Sequence, residues 1–173
     1  TMKIFSFLSA IENGIYDGTE TYQSGTIRVD NAIIKDFNEK GWGVISYDQG
    51  FANSSNVAAT NLALELGRDR LRQTYEDLGF GKKTGIELPG EVSGKISFNY
   101  KSEIATASFG QGITTTPIQT LQALSVLTND GTVLKPYIVD KIVDEKGNVV
   151  MQGGRTEVRK VASKETTDKV RQL

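Results

Sequence analysis

Apolar residues recur along the chain at spacings that mostly predict helices. Over residues 1–13 the apolar positions repeat at helical intervals, and a glycine follows where a helix would end: Ile4, Phe5, Leu8, Ile11, then Gly14. The pattern therefore predicts a first helix that has already begun upstream of Thr1.

The same reasoning predicts a pair of helices in the middle of the chain. A cluster of N-cap formers at residues 53–56 precedes the helix-forming run 57–66, which Gly67 closes. Residues 68–78 form an amphipathic pattern whose inner face carries Leu71, Tyr75 and Leu78. We expect the two helices to pack as a hairpin.

Two further helices are predicted in the second half of the chain. Thr116 as the cap and Pro117 as the first residue open one of them, and a last helix starts near Ser163. We expect the helix that begins at Pro117 to be buried on the side that carries its apolar positions, Ile118, Leu121, Leu124 and Leu127.

Strand signals are fewer and shorter. Residues 137–143 and 148–151 alternate around a turn-forming tetrapeptide and predict a β-hairpin. Residues 26–29 form a β-prone piece within a connecting region that spans 15–45. Residues 79–94 are marked by Gly and Pro as a loop, with room for a short strand at 86–88.

Composition narrows the functional classes. The net charge is -1 with basic and acidic residues interleaved, which argues against nucleic-acid binding. The absence of Cys excludes disulfides and thiolate chemistry, and the absence of His means that Lys, Asp, Glu or Tyr must move protons in any hydrolytic or acyl-transfer reaction. The carboxylates lack the spacing of metal ligands, so neither a metal nor another cofactor is expected; they include Asp17, Asp30, Asp36 and Asp48. No apolar run is long enough for a membrane helix.

Both ends of the chain fall inside helical patterns rather than in polar linkers. We therefore expect residues 1–173 to be part of a larger domain that is truncated at both ends.

Two polar clusters carry the candidate chemistry. The opening Thr1, Met2, Lys3 resembles the tail of a Ser-x-x-Lys motif whose serine would precede Thr1, and residues 54–56 fit a Ser-x-Asn motif. Both motifs are typical of the penicillin-recognising serine enzymes.

The resemblance extends over most of the chain. The chain is most similar to class B penicillin-binding proteins, in particular to monofunctional division- or elongation-type transpeptidases of Gram-positive bacteria. Four segments carry it in the expected order: residues 50–56, 79–91, 108–119 and 129–136. It implies an α+β transpeptidase fold, an antiparallel sheet covered by helices. This chain should supply mainly the helical lobe, with few strands.

The resemblance also implies residue roles. Lys3 would accept the proton of the missing serine, Ser54 would relay it to the leaving amine, and Asn56 would bind the acyl side chain or hold Lys3. For Ser54 and Asn56 the alternative is ordinary helix capping, and for Lys3 it is a solvated charge. Oxyanion donors would come from the serine itself and from a third-motif strand, both outside residues 1–173.

Three more residues are weaker substrate-binding candidates. Ser55 lies within the second motif, and Gln111 lies in a glycine-flanked turn that could line the site or only allow two backbones to approach. Trp42 could rim the cleft, with half-buried packing as the alternative.

One match is misleading. Lys83, Thr84 and Gly85 spell the Lys-Thr-Gly of the family's third catalytic motif, but they lie in a glycine-rich loop before Pro89. We interpret them as a surface turn.

The resemblance implies a peptidoglycan D,D-transpeptidase that crosslinks stem peptides through a serine acyl-enzyme and binds β-lactam antibiotics. It would work at the extracytoplasmic face of the bacterial membrane, anchored by a segment outside this chain, together with division or elongation proteins. The isolated 173-residue chain is expected to be inactive. A β-lactamase or β-lactam sensor of the same superfamily and an inert interaction module remain alternatives.

Overall fold

The computed structural model describes residues 1–173. The α-helices are α1 (Met2–Glu12), α2 (Tyr47–Ala52), α3 (Asn56–Leu66), α4 (Arg68–Asp77), α5 (Lys101–Ser108), α6 (Pro117–Leu124) and α7 (Lys164–Gln172), and a 3₁₀ turn, Ser125–Thr128, continues α6.

The strands are short and pair only in twos. They are β1 (Thr21–Gln23), β2 (Thr26–Val29), β3 (Ala32–Lys35), β4 (Val44–Ser46), β5 (Thr132–Leu134), β6 (Lys141–Val143), β7 (Val149–Gln152) and β8 (Glu157–Lys160). The antiparallel pairs are β1 with β4, β2 with β3, β5 with β8, and β6 with β7. The expected α-rich architecture with few strands is confirmed.

Helix α1 lies at the centre of the core, in contact with α3, α4, α5 and α7. Phe5, Phe7 and Leu8 are fully buried, and Phe5 packs edge-on against Phe80 at a centroid distance of 5.2 Å. The buried hydroxyl of Ser6 donates to the carbonyl oxygen of Ser108 over 2.7 Å, which ties α1 to the end of α5. These contacts fix the position of the N-terminal end of α1.

Helices α3 and α4 form the predicted pair. Ser55 caps α3, Gly67 separates the two helices, and the inner-face residues of α4 and its C-cap are fully buried as expected: Leu71, Tyr75 and Leu78. Packing against α1 thus accounts for the period of the apolar residues.

Residues 15–46 contain more structure than the sequence predicts. The strand at Thr26–Val29 is confirmed, but it pairs with β3, and β1 pairs with β4. Strands of three or four residues are too short for an alternating pattern to stand out. Helix α2, which starts with a capping box at Ser46, was also missed.

The predicted inner face of α6 is correct only in part, with Leu124 and Leu127 packed against the core. Its buried residues are Gln119, Gln122 and Ala123, whereas Leu121 is 63% exposed. The Gln119 amide donates at 2.6 Å to the carbonyl oxygens of both Lys82 and Ser93. A glutamine that ties α6 to both ends of the loop 79–94 is buried despite its polarity because its hydrogen bonds are satisfied.

The remaining elements agree in part. The hairpin of β6 and β7 and the last helix, capped by Ser163, are confirmed. Residues 86–88 form no strand, and α5 and the β5–β8 pair were not predicted. None of the helices combines the length and apolarity required to cross a bilayer.

Candidate active site

Lys3 and Ser54 meet at the N-terminal end of α1. The Lys3 Nζ donates to the Ser54 Oγ over 2.9 Å and also to the carbonyl oxygen of Ser54. Lys3 is half-buried in the first turn of α1, whereas Ser54 is exposed. The sequence-predicted pair is therefore brought together although the residues lie 51 positions apart.

Ser54 is presented by a tight turn between α2 and α3, here called the Ser54 turn (residues 53–56). Its backbone has a φ of 54°, in the left-handed region that few non-glycine residues adopt. The Ser54 N–H donates to the carbonyl oxygen of Phe51 over 2.9 Å. This conformation leaves both the carbonyl and the hydroxyl of Ser54 available to Lys3.

Gly50 allows α2 to lie close enough for this turn to form. A Cβ at position 50 would lie 2.5 Å from the Tyr22 Oη and 3.0 Å from the Ala58 Cβ. Because both neighbours are buried, neither can move aside easily.

Asp36 accepts hydrogen bonds from the residues at the start of α3. Its carboxylate is 1% exposed. The Oδ1 atom accepts from the Ser55 Oγ (2.9 Å), the Asn56 N–H (2.6 Å) and the Val57 N–H (3.1 Å). Sequence reasoning missed this residue, since it was considered only as a metal ligand.

Asn56 does not contact Lys3. Its Nδ2 donates to the carbonyl oxygen of Lys35 over 2.8 Å, which orients the side chain against the end of β3. The role of holding Lys3 is therefore wrong for Asn56. The Oδ1 accepts no hydrogen bond from the protein and is free for a ligand's N–H.

A groove of about 300 Å³ adjoins Asn56. One wall is β3, with Ile33, and the other contains Thr106, Phe109 and Gln111. Gln111 is exposed beside Gly110, where a Cβ would lie 3.1 Å from Met2. The turn thus leaves room for the Met2 side chain and brings Gln111 to the same groove as Asn56.

The two remaining candidates have structural surroundings. Ser55 is fully buried, and its hydroxyl donates to Asp36 and accepts from the Ala58 N–H, so the assignment of Ser55 to substrate binding is wrong. Trp42 is half-buried, with its ring 5.7 Å from that of Phe37, which agrees with the packing alternative.

The surroundings of Lys3 shift its proton equilibrium towards the neutral amine. Burial lowers the pKa of the Lys3 ammonium below its usual value, and the negative charge of Asp36 partly opposes this shift. A lowered pKa increases the fraction of neutral amine, which is the form that can accept a proton. No group of three or more acidic side chains is placed to hold a metal ion.

Lys83, Thr84 and Gly85 lie in a loop, as predicted, and not on a strand. Glu91 accepts from the N–H and the hydroxyl of Thr84, each at 2.6 Å, and from the Gly85 N–H. Lys83 is exposed. This triplet is a turn closed by a carboxylate.

Comparison with known proteins places these features in a family. A family profile described as "Penicillin binding protein transpeptidase domain" matches residues 1–173. Stage V sporulation protein D of Bacillus subtilis is 34% identical, over 99% of this chain and 27% of its own length.

Solved structures agree with the sequence comparison. Penicillin-binding protein 2X from Streptococcus thermophilus superposes with a TM-score of 0.90 at 35% identity, over 99% of this chain and 26% of its own. Penicillin-binding protein 3 from Mycobacterium tuberculosis, complexed with ampicillin, gives 0.89 at 28% identity, over 99% and 38%.

The chain spans about a quarter of the length of curated relatives such as the sporulation protein, of which it covers 27%. The family match nevertheless covers every residue, and the solved structures share the fold throughout. The chain belongs to the penicillin-binding protein transpeptidase family.

Proposed function

We propose that the protein containing this chain is a serine-type peptidoglycan D,D-transpeptidase, and that Lys3, Ser54 and Asn56 are residues of its active site. The observation that carries the proposal is the contact of the Lys3 Nζ with the Ser54 Oγ at 2.9 Å, with burial lowering the pKa of Lys3. A lysine amine next to a hydroxyl can replace the histidine that this chain lacks.

The first step forms an acyl-enzyme. The hydroxyl of a serine directly before Thr1 would lie next to Lys3, because positions three apart share a helix face. Neutral Lys3 takes the hydroxyl proton while the serine oxygen attacks the carbonyl carbon of a D-alanyl-D-alanine end. The terminal D-alanine leaves as the amine after receiving a proton through Ser54, and the serine ester remains.

The second step releases the crosslinked product. An amine from a neighbouring stem peptide attacks the ester carbonyl and gives up a proton to neutral Lys3 through Ser54. The bond to the serine oxygen then breaks, and Lys3 passes this proton to that oxygen. A β-lactam would enter the first step in the same way, and its ring-opened ester would block the second. The ampicillin complex of penicillin-binding protein 3 is a precedent within the family.

The groove beside Asn56 suits an extended peptide. The free Asn56 Oδ1 and the exposed Gln111 amide can hydrogen-bond a peptide backbone, and Ile33 and Phe109 offer apolar contacts. We assign the acyl-donor stem peptide to this groove. Because this stem peptide belongs to the cell-wall precursor, we expect the reaction to occur at the outer face of the membrane. Division or elongation proteins would be the partners of the enzyme there.

A labelling experiment with a fluorescent β-lactam tests the proposal. Protein that includes the residue before Thr1 and the sequence after Leu173 should be labelled covalently, and peptide mapping should find the label on the residue before Thr1. A matched preparation with that residue changed to alanine should not be labelled. The same protein should also release D-alanine when given a stem peptide and an acceptor amine.

The alternatives predict other results. Rapid loss of the label with a hydrolysed β-lactam product would favour a β-lactamase, and stable labelling with no D-alanine release would favour a sensor. Any residue other than serine before Thr1, with no labelling, would favour an inert interaction module and overturn the proposal.

A further inference from the structure

The end of β3 contacts the start of α3 through side chains rather than through a sheet or a helix pair. The Lys35 carbonyl oxygen receives the Asn56 amide, and the Asp36 carboxylate receives three donors from residues 55–57. The second oxygen of Asp36 accepts from the Gly25 N–H over 2.8 Å, which fixes the carboxylate itself. One buried side chain therefore holds the C-terminal side of the Ser54 turn against the end of β3.

Asp36 is an unusual buried charge. It is 1% exposed, and no Lys or Arg forms a salt bridge with it. Its compensation comes from four hydrogen bonds, two of them from first-turn N–H groups of α3, where a negative charge is favoured. Capping alone does not require this arrangement, because Ser55 already caps α3 through the Ala58 N–H.

The same carboxylate acts on Lys3. Lys3 contacts Ser54, and the next residue, Ser55, donates to the Asp36 carboxylate, so this negative charge lies close enough to oppose the lowering of the Lys3 pKa by burial. Asp36 therefore lies one residue away from the Lys3–Ser54 contact without touching the atoms that would react.

We propose that Asp36 is a positioning residue of the site: it fixes the Ser54 turn against β3 and places a buried negative charge one residue away from the Lys3–Ser54 contact. The catalytic part of this inference rests on the proposed function. The structural part does not.

The decisive variant is Asp36→Asn, which keeps the shape of the side chain and removes its charge. In the serine-containing protein, acylation by a chromogenic β-lactam should follow the neutral fraction of Lys3 and rise towards alkaline pH. Without the Asp36 charge, the acid limb of this profile should move about one pH unit lower, since an opposite charge nearby raises a lysine pKa. The plateau rate should fall about tenfold as the turn loosens.

Ser55→Ala is the matched control. It removes one donor to Asp36 and the cap of α3, but it leaves the charge in place. Its plateau rate should fall while its acid limb stays where the unaltered protein has it. If Asp36→Asn gives the same unmoved limb as Ser55→Ala, Asp36 has a structural role only and the proposal is overturned.

A second measurement does not depend on catalysis. An NMR titration of the Lys3 Cε signal, assigned with Lys3→Arg, should give a lower midpoint in Asp36→Asn than in the unaltered protein. If no acylation occurs in any variant but this shift is found, the proposed function fails and the role of Asp36 stands. An unchanged midpoint overturns the role whether or not the protein is an enzyme.

Amide hydrogen exchange covers the case in which Asp36→Asn does not fold. In the unaltered protein the Asn56 and Val57 amides should exchange slowly, because Asp36 accepts both. The first-turn amides Asp69 and Arg70 of α4, a helix with no side-chain cap, are the reference and should exchange fast. Equal rates at the two helix starts would overturn the anchoring by Asp36.

Discussion

Two turns in this molecule combine a lysine, a hydroxyl and a carboxylate, and only one of them has the geometry of a site. At the Ser54 turn, Lys3 of helix α1 contacts the Ser54 hydroxyl, and the next residue, Ser55, donates to the buried Asp36. At the second turn, Lys83 is merely the sequence neighbour of Thr84, it is exposed, and the Thr84 hydroxyl is bound by Glu91.

The difference lies in convergence and burial rather than in residue types. The second turn spells a catalytic triplet of the family, yet its hydroxyl faces its own loop. The first is assembled from segments 51 residues apart, and burial alters the proton affinity of its lysine. Three comparisons between the turns and one titration at the second turn test this distinction, from the largest expected effect to the smallest.

The largest effect should come from the lysines. In the serine-containing protein, Lys3→Met should lower the rate of β-lactam acylation about a thousandfold, because a positioned proton acceptor is lost. Lys83→Met should change the rate by less than about twofold, since an exposed surface substitution rarely matters. Stopped-flow or gel-based labelling measures both. A comparable loss in the two variants would erase the distinction between the turns.

The carboxylates should differ in their contribution to stability. Asp36→Ala leaves buried donors of residues 25, 55, 56 and 57 without an acceptor, and should lower the free energy of unfolding by about 3 kcal/mol. Glu91→Ala should cost less, because water can replace the carboxylate at an exposed loop. Urea unfolding followed by circular dichroism provides both values. Equal losses would contradict the assigned difference in burial.

Substitution of Gly50, which precedes the Ser54 turn, and of Gly85, in the second turn, should lower stability for different reasons. Gly50→Ala places a methyl group against Tyr22 and Ala58, and should destabilise the fold by about 2 kcal/mol through overpacking. Gly85 has a φ of 78° with ordinary contacts around it, so Gly85→Ala should cost about 1 kcal/mol from backbone strain alone. Thermal unfolding compares them, and a larger cost at Gly85 would invert the expected order.

The smallest effect concerns pH. Hydrogen bonds from Thr84 hold the pKa of Glu91 below its usual range. Because the folded pKa is depressed, the loop is fully stabilised above the ordinary glutamate pKa of about 4.3 and loses this contribution as the pH falls through the lowered value. The Thr84 and Gly85 amide shifts should titrate with a midpoint below about 4.3. A midpoint at the ordinary value would show that Glu91 does not close the turn, and Glu91→Gln should abolish the titration.

Local sequence patterns predict those parts of the fold that are themselves local. Helices α1, α3 and α4 and the β6–β7 hairpin were predicted because each combines an apolar period with cap or turn residues within a short window. Helix α6 was located for the same reason. Its inner face was predicted only in part, because Gln119 is buried through hydrogen bonds to residues 26 and 37 positions away.

The site shows the same limit. Lys3, Ser54 and Asn56 could be identified because they match short motifs, but nothing in those motifs reveals which side chain holds them in place. Asp36 acts on residues 19 to 21 positions later, across a turn and helix α2. A carboxylate at the end of a strand is no signal by itself, so its role appears only when the chain is folded.

Because the backbone of Ser54 is left-handed, the residue that would be most stable at this position differs from the residue that proton relay requires. Glycine would occupy this conformation without strain, and asparagine would do so more readily than serine, yet neither offers a hydroxyl for proton relay. Laboratory evolution for heat resistance alone would therefore drift towards Ser54→Gly. Selection for enzymatic activity would restore the serine. The residue recovered at position 54 therefore shows whether stability or activity was selected more strongly.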